Sequence, residues 1–206
     1  MRKAELKIFL SKLEGFRQPK PHLEQYKTPP DVAAEMLMRA KHIGGKKIVD
    51  LGAGTGILTI GAAILGFEAK GYEKDSEALE TAKKNLEKAE EKYGELSADF
   101  VESEVSEAEG KGDIVVMNPP FGIQKEDSNL KFLEKAFEIS SKVLSLMHRS
   151  ENRLTRTRKF IKEFAQKRGF DTEIVGSYRL GLPNSMKFHE KDKKAIKVDL
   201  YYFKGE

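Results

Sequence analysis

The stretch that most constrains this chain is Lys46-Lys47-Ile48-Val49-Asp50-Leu51-Gly52-Ala53-Gly54-Thr55-Gly56. A short β-branched run ends in an acid, three glycines follow at alternate positions, and Ile57 to Gly66 then reads as an apolar helix. Strand, glycine turn and helix in that order bring backbone close to a ligand at a helix N-terminus, the layout of a nucleotide site. Glycine there admits backbone geometry and a close approach that a Cβ would obstruct. An ordinary tight turn between strand and helix is the plain alternative. The spacing narrows the ligand: a dinucleotide fingerprint begun at Gly52 and Gly54 needs a small residue at 57, where Ile57 stands. The Lys-Ser/Thr pair of a P-loop is also missing.

The run Asp50-Leu51-Gly52-Ala53-Gly54-Thr55-Gly56 resembles motif I of the class I S-adenosylmethionine methyltransferases. Its candidate cofactor cradle comprises Asp50, Gly52, Gly54, Thr55, Gly56 and Ile57. The next apolar segment, Phe67 to Tyr72, ends in Glu73, where an acid would grip ribose hydroxyls.

A chain of 206 residues suits one domain and is too short for two sizeable ones. We therefore expect a single domain over 1–206, with N-terminal helices and a cofactor-covering segment over 1–45 and a Rossmann-like core over 46–206. The chain has no cysteine, which excludes disulfides and Cys-ligated zinc, and four scattered histidines, so no metal site is expected. No run of about 18 apolar residues offers a membrane span, and the N-terminus lacks a signal-peptide core, so a cytoplasmic protein is expected. The net charge of +4 permits a nucleic-acid partner without requiring one.

Leu6, Phe9, Leu10 and Leu13 recur at helical spacing and predict an amphipathic helix over 3–14. Gly15, Pro19 and Pro21 then impose an extended segment. Thr28 is expected to N-cap the next helix, with Pro29 in its first position and Asp31 closing a capping box. That helix should run to about His42 and turn Val32, Met36 and Ala40 inward. Gln25 and Tyr26, directly before it, are either loop polarity and a packing aromatic or a cover over the methionine end of the cofactor. A helix is expected over 75–92, a short strand over 97–101, and Glu104 and Val105 at that strand's C-terminal end, where ligands of open α/β sheets gather.

A second informative stretch is the apolar run Ile114 to Met117 followed by Asn118-Pro119-Pro120-Phe121. Two prolines remove two backbone donors and leave carbonyls that can only accept. The Asn118 amide oxygen adds an acceptor and Phe121 an aromatic face, together a receptor for a planar group bearing NH₂. A proline-rich turn is the plain reading. Further on, a helix is expected from Asp127-Ser128-Asn129 to about Ser140, burying Leu130, Leu133, Ala136 and Phe137, and then a strand over 142–147. A basic helix over 151–168 should bury Phe160, Ile161 and Phe164. Half-buried strands are expected over 171–175 and 196–203. Between them, Lys187, Phe188 and His189 are candidate nucleic-acid contacts, basic residues interleaved with an aromatic.

Taken together, L-E-Q-Y-x-T at 23–28, the glycine loop, the acid at 73, N-P-P-F-G at 118–122 and K-F-H at 187–189 resemble one family along the whole chain. It is that of the archaeal and eukaryotic methyltransferase-like enzymes that form N6-methyladenosine in small-subunit rRNA. The resemblance implies a class I methyltransferase fold: a Rossmann-like, seven-stranded, mostly parallel sheet with helices on both faces. It implies S-adenosylmethionine held by Gln25, Thr28, Gly52, Thr55, Ile57, Glu73, Glu104 and Val105, although Glu73 and Glu104 stand where the family commonly has Asp. Asn118, Pro119, Pro120 and Phe121 would form the catalytic turn. It also implies a heterodimer with a small zinc-binding activator subunit. Guanine-N2 methylation of rRNA, glutamine-N5 methylation of protein and a non-enzymatic cofactor-binding module remain open at this point.

Overall fold

The computed structural model describes residues 1–121, 128–149, 154–181 and 195–206. Seven strands form one sheet: β1 (Lys47–Leu51), β2 (Glu68–Glu73), β3 (Ala98–Glu102), β4 (Ile114–Met117), β5 (Lys142–His148), β6 (Phe170–Gly181) and β7 (Ala195–Gly205). Their spatial order is β3-β2-β1-β4-β5-β7-β6. The first five run parallel, and β7 is antiparallel to both of its neighbours. This is the expected seven-stranded architecture of the class I methyltransferases.

Six helices cover the two faces: α1 (Lys3–Leu10), α2 (Pro30–Ile43), α3 (Ile57–Ile64), α4 (Ser76–Tyr93), α5 (Ser128–Ile139) and α6 (Leu154–Gln166). The pleat sends alternate side chains to opposite faces. Ile48, Ile114, Val116, Leu144 and Leu146 therefore pack with Leu6, Met36 and Ile60 from α1, α2 and α3. Val49, Leu51, Val115, Met117 and Val143 pack instead with Leu133 and Ala136 from α5 and Ile161 from α6. Central strands buried on both faces read as continuous apolar runs, as β4 does; β1 is equally buried from Ile48 to Leu51 but carries Asp50 within the run. Among the described residues, no helix is long and apolar enough to cross a membrane.

Several expectations need correction: the helix expected over 3–14 ends at Leu10, and the strand expected over 171–175 runs on to Gly181. Thr28 does not cap α2, which begins at Pro30 with Pro29 in the cap position and no side-chain cap bond. A residue before proline is pushed into extended backbone. Thr28 precedes Pro29, and Pro29 precedes Pro30, so a helix can open only at the second proline. Phe160 is not an inner residue: it is 50% exposed, whereas Ile161 and Ala165 are buried. The inward stripe of α6 falls one residue later and includes Arg158. The Arg158 guanidinium meets Asp199 through Nε and Nη2, each 2.8 Å from Oδ2, and Ser177 Oγ donates to Oδ1 at 2.6 Å. Arg158 thus ties α6 to the terminal hairpin. Finally, β7 is more than half-buried, because it lies between β5 and β6; Val198, Leu200 and Phe203 are fully enclosed.

The strand expected over 142–147 is β5, and Asp75 caps α4 by accepting from Glu77 N–H at 3.2 Å. The strand expected at 97–101 is β3, at the edge of the sheet, so one row of its backbone groups has no neighbouring strand.

Candidate functional site

Strand β1 delivers the chain into a loop where Gly52, Gly54 and Gly56 all have positive φ, at 75°, 54° and 86°. Gly56 closes the loop and precedes the first turn of α3. At Gly54 a side chain is excluded twice over: its φ is left-handed, and a Cβ would lie 2.8 Å from Phe16 Cζ. The Gly52 and Ala53 amides donate to Tyr72 O, both at 2.9 Å, which fastens the loop to the end of β2.

Immediately beyond Tyr72, Glu73 accepts from Gly54 N–H at 2.9 Å on Oε2, and from the Lys74 and Asp75 amides at 3.0 Å on Oε1. Burial pushes the Glu73 carboxyl above its usual range, and these three amides oppose that. The acid therefore stands at the end of β2, tied to the glycine loop. Asp75 joins this end of the sheet to the N-terminal segment. Lys20 Nζ reaches its Oδ1 at 2.8 Å and Gln25 Nε2 its Oδ2 at 2.6 Å, while Gln25 Oε1 accepts from Lys20 N–H. Burial would raise the Asp75 pKa, but these donors outweigh it and hold the carboxyl below its usual range.

Asp50 sits behind the loop. Its Oδ2 accepts from Thr59 N–H at 3.1 Å and from Thr59 Oγ at 2.7 Å, fixing β1 to α3. Its Oδ1 is buried without a hydrogen-bond partner.

A cleft of about 830 Å³ opens over the C-terminal ends of β1, β2 and β4. Its walls bring together Gln25, Tyr26, Thr28, Gly52, Gly54, Thr55, Ile57, Glu73, Glu104, Val105, Asn118 and Pro120. Asp50, Gly56, Pro119 and Phe121 lie behind those walls rather than on them. Lys187, Phe188 and His189 lie outside the described residues. Among the lining residues that the sequence did not suggest are Glu24 and two aromatics, Phe16 and Phe132. Phe16 stands alone in an extended segment and carries no periodic signal, whereas Phe132 is one step off the buried stripe of α5.

At the far side of the cleft, Asn118 Nδ2 donates to Thr28 Oγ at 3.0 Å. This bond orients the amide, and the opposite atom, Oδ1, is buried with no partner. Leaving a buried acceptor unsatisfied costs about 1–3 kcal/mol. One strong acceptor is thus left without a protein partner at the cleft. Pro119 and Pro120 contribute no donor that would satisfy it. Phe121 is 4% exposed, with Tyr26 stacked against it at a centroid distance of 5.4 Å and 16° between planes.

Comparison with known proteins agrees with this geometry. Residues 27–150 match the family model of the methyltransferase small domain. The rRNA N(6)-adenosine-methyltransferase Mettl5 of Drosophila melanogaster is 35% identical over 206 residues, covering 97% of this chain and 94% of the relative. The solved structure of PH1948 from Pyrococcus horikoshii is 40% identical and superposes with a TM-score of 0.85, covering 100% of this chain and 98% of that one. Magnesium protoporphyrin IX methyltransferase from Synechocystis PCC 6803, crystallised with bound SAH, shares the fold at 16% identity and a TM-score of 0.58, over 84% of this chain and 80% of that one. With likeness of this degree along almost the full length of both sequences, the chain belongs to the family of the rRNA N(6)-adenosine methyltransferases, built on the methyltransferase small domain.

Proposed function

We propose that this protein transfers a methyl group from S-adenosylmethionine to N6 of an adenosine in small-subunit rRNA. The observation that carries the reading is the unpartnered, buried Oδ1 of Asn118 at the wall of a cleft that also holds the glycine loop and Glu73. The residues present fit the cofactor: a glycine loop lining the cleft with left-handed backbone at Gly54, and a carboxylate at the end of β2 that accepts from the Gly54 amide. Glu73 would take the ribose hydroxyls, Glu104 and Val105 the adenine edge, and Gln25, Tyr26 and Thr28 the methionine end. Gly52, Thr55 and Ile57 would line its path across the loop. Asp50 and Gly56 support that loop from behind.

When bound, S-adenosylmethionine supplies a methyl carbon already activated by its positive sulfur. The chain's task is then positioning and electrostatics. An exocyclic adenine amine is a poor nucleophile, because its lone pair is delocalised into the ring. Asn118 Oδ1 would accept one of its N–H bonds and the carbonyl of the buried Pro119 the other, localising the lone pair on nitrogen and out of conjugation with the ring. A splayed-out base would be held against Tyr26, which lines the cleft and is backed by the buried ring of Phe121. Transfer would leave S-adenosylhomocysteine, its sulfur keeping the S–C pair, and the methylated amine would release a proton to solvent.

The test is to incubate ribosomal subunits with the protein and labelled cofactor, digest the RNA, and identify the labelled nucleoside. N6-methyladenosine is expected. N2-methylguanosine would overturn the adenine assignment, and label in protein would overturn the RNA assignment. Replacing Glu73 by Ala should weaken cofactor binding by roughly ten- to a hundredfold, the loss of a hydrogen bond to a charged acceptor. Calorimetry with unchanged affinity would remove Glu73 from the cofactor site.

RNA contacts are assigned to the outward cations of α6, among them Arg156, Lys159 and Lys162, and to Lys167 just after it, all exposed. Lys187, Phe188 and His189 join them on the sequence reading. The small zinc-binding activator is assigned to β3, whose outer edge offers backbone groups for strand addition. Co-expression should give a heterodimer on a sizing column, and interrupting β3 with Val101→Pro should abolish it. A chain that stays monomeric beside that subunit would sink the pairing.

A further inference from the structure

The segment before α2 grips the Asn-Pro-Pro-Phe turn at both ends. Thr28 Oγ holds the Asn118 amide, as described, and Glu24 holds the other end. Glu24 Oε2 accepts from Phe121 N–H at 2.7 Å and from the Tyr26 hydroxyl at 3.1 Å. The contact with Phe121 has a particular place in the turn. Pro119 and Pro120 carry no N–H, so the Phe121 amide is the first backbone donor after Asn118. Glu24 is buried, 6% exposed, and is the one non-glycine residue with positive φ among those described, at 51°. A glutamate in left-handed backbone is strained where a glycine would be at ease. Strain of this kind persists only where the surroundings over-determine it, and the carboxylate's two donors are such surroundings. Tyr26, held by the same carboxylate, lies flat on Phe121.

We propose that Glu24 is a positioning residue for methyl transfer: its carboxylate fixes the Phe121 end of the turn, so that Asn118 Oδ1 and the Pro119 carbonyl converge on the acceptor amine. The proposal rests on the methyltransferase reading given above. Its physical basis is that two acceptors can localise an amine lone pair only if both are held at once. A turn pinned at Asn118 alone would pivot about its rigid prolines.

Three variants separate this role from simple structural support. Glu24→Gly removes the carboxylate and relieves the left-handed strain, so loss of folding should not mask the result. It should lower the single-turnover rate at saturating RNA and cofactor by about a hundredfold, the effect of misplacing a reacting group by an ångström. Cofactor affinity by calorimetry should fall far less than the rate, only as far as a loosened Tyr26 weakens the methionine end. Glu24→Gln keeps an acceptor oxygen and should restore most of the rate, whereas Glu24→Ala should not. In protein labelled with ¹⁵N-phenylalanine, the Phe121 amide should lose its downfield shift and exchange protection in the Gly and Ala variants and keep them in the Gln variant. A Gly variant as fast as the parent overturns the proposal, and so does a Gln variant as slow as Ala. Rates are read on whichever amine the parent methylates. A guanine product would therefore overturn the adenine assignment while still testing Glu24, and the amide signal reports the contact independently of any activity.

Discussion

Asn118→Ala should lower methyl transfer by about a hundred- to a thousandfold, the loss seen when one preorganised polar partner is removed from a reacting centre. Cofactor affinity should stay nearly at the parental value. The expectation follows from how the side chain is held. Its NH₂ is engaged by Thr28 Oγ at 3.0 Å, and its Oδ1 has no protein partner. The first bond sets the rotamer and the second atom is left for substrate. Removing both frees the Thr28 hydroxyl and relieves an unsatisfied buried acceptor, so the fold should not suffer. Single-turnover rates beside calorimetry decide the matter. If cofactor affinity falls as far as the rate does, Asn118 belongs to the cofactor site and the lone-pair argument fails. Thr28→Val, which removes the orienting hydroxyl at nearly constant shape, should fall between parent and Asn118→Ala.

The parts of this architecture visible in the sequence are those whose causes are local. Three glycines at alternate positions after Ile48-Val49-Asp50-Leu51 announce the loop, because only that backbone needs positive φ at each of them. The apolar runs of β1 and β4 announce burial on both faces, and the acid at 73 follows from strand length. Errors arose where two local rules compete or where register matters by one residue. At Thr28 the capping preference of a hydroxyl met the steric demand of consecutive prolines, and the prolines prevailed. At Phe160 an aromatic beside the true stripe drew the assignment away from Arg158, whose inward turn is explained only by the buried Asp199.

Other features were invisible because their causes are distant. The Glu24 contact joins residues 97 apart, and no spacing rule connects them. Phe16 touches the glycine loop only because the extended segment folds back across it. Thr59 is only nine residues from Asp50, but its inward hydroxyl carries no sequence signal; Asp50 does not line the cleft and binds the start of α3 instead.

That placement gives Asp50 a distinct pH signature. The residue is 1% exposed, and burial pushes its carboxyl from 3.8 to about 7, against the two bonds from Thr59 and with some help from the nearby Glu73 charge. In the unfolded chain it titrates near its ordinary value. A native pKa above the unfolded one means that the folded protein holds the proton more tightly. The stability so gained is fully present below pH 4 and is lost as pH rises through about 7. Asp50→Asn removes this titration while its amide oxygen still accepts from Thr59. Relative to the parent, the Asp50→Asn variant should therefore gain stability steadily between about pH 4 and pH 7, by up to about 4 kcal/mol, and hold that advantage above. Any fixed penalty from burying the amide NH₂ would shift the whole curve without altering its slope. Chemical denaturation of both proteins across this range reads the difference directly. Parallel curves would mean that Asp50 is charged in the folded protein throughout, so that a cation or dipole must reach its unpartnered Oδ1.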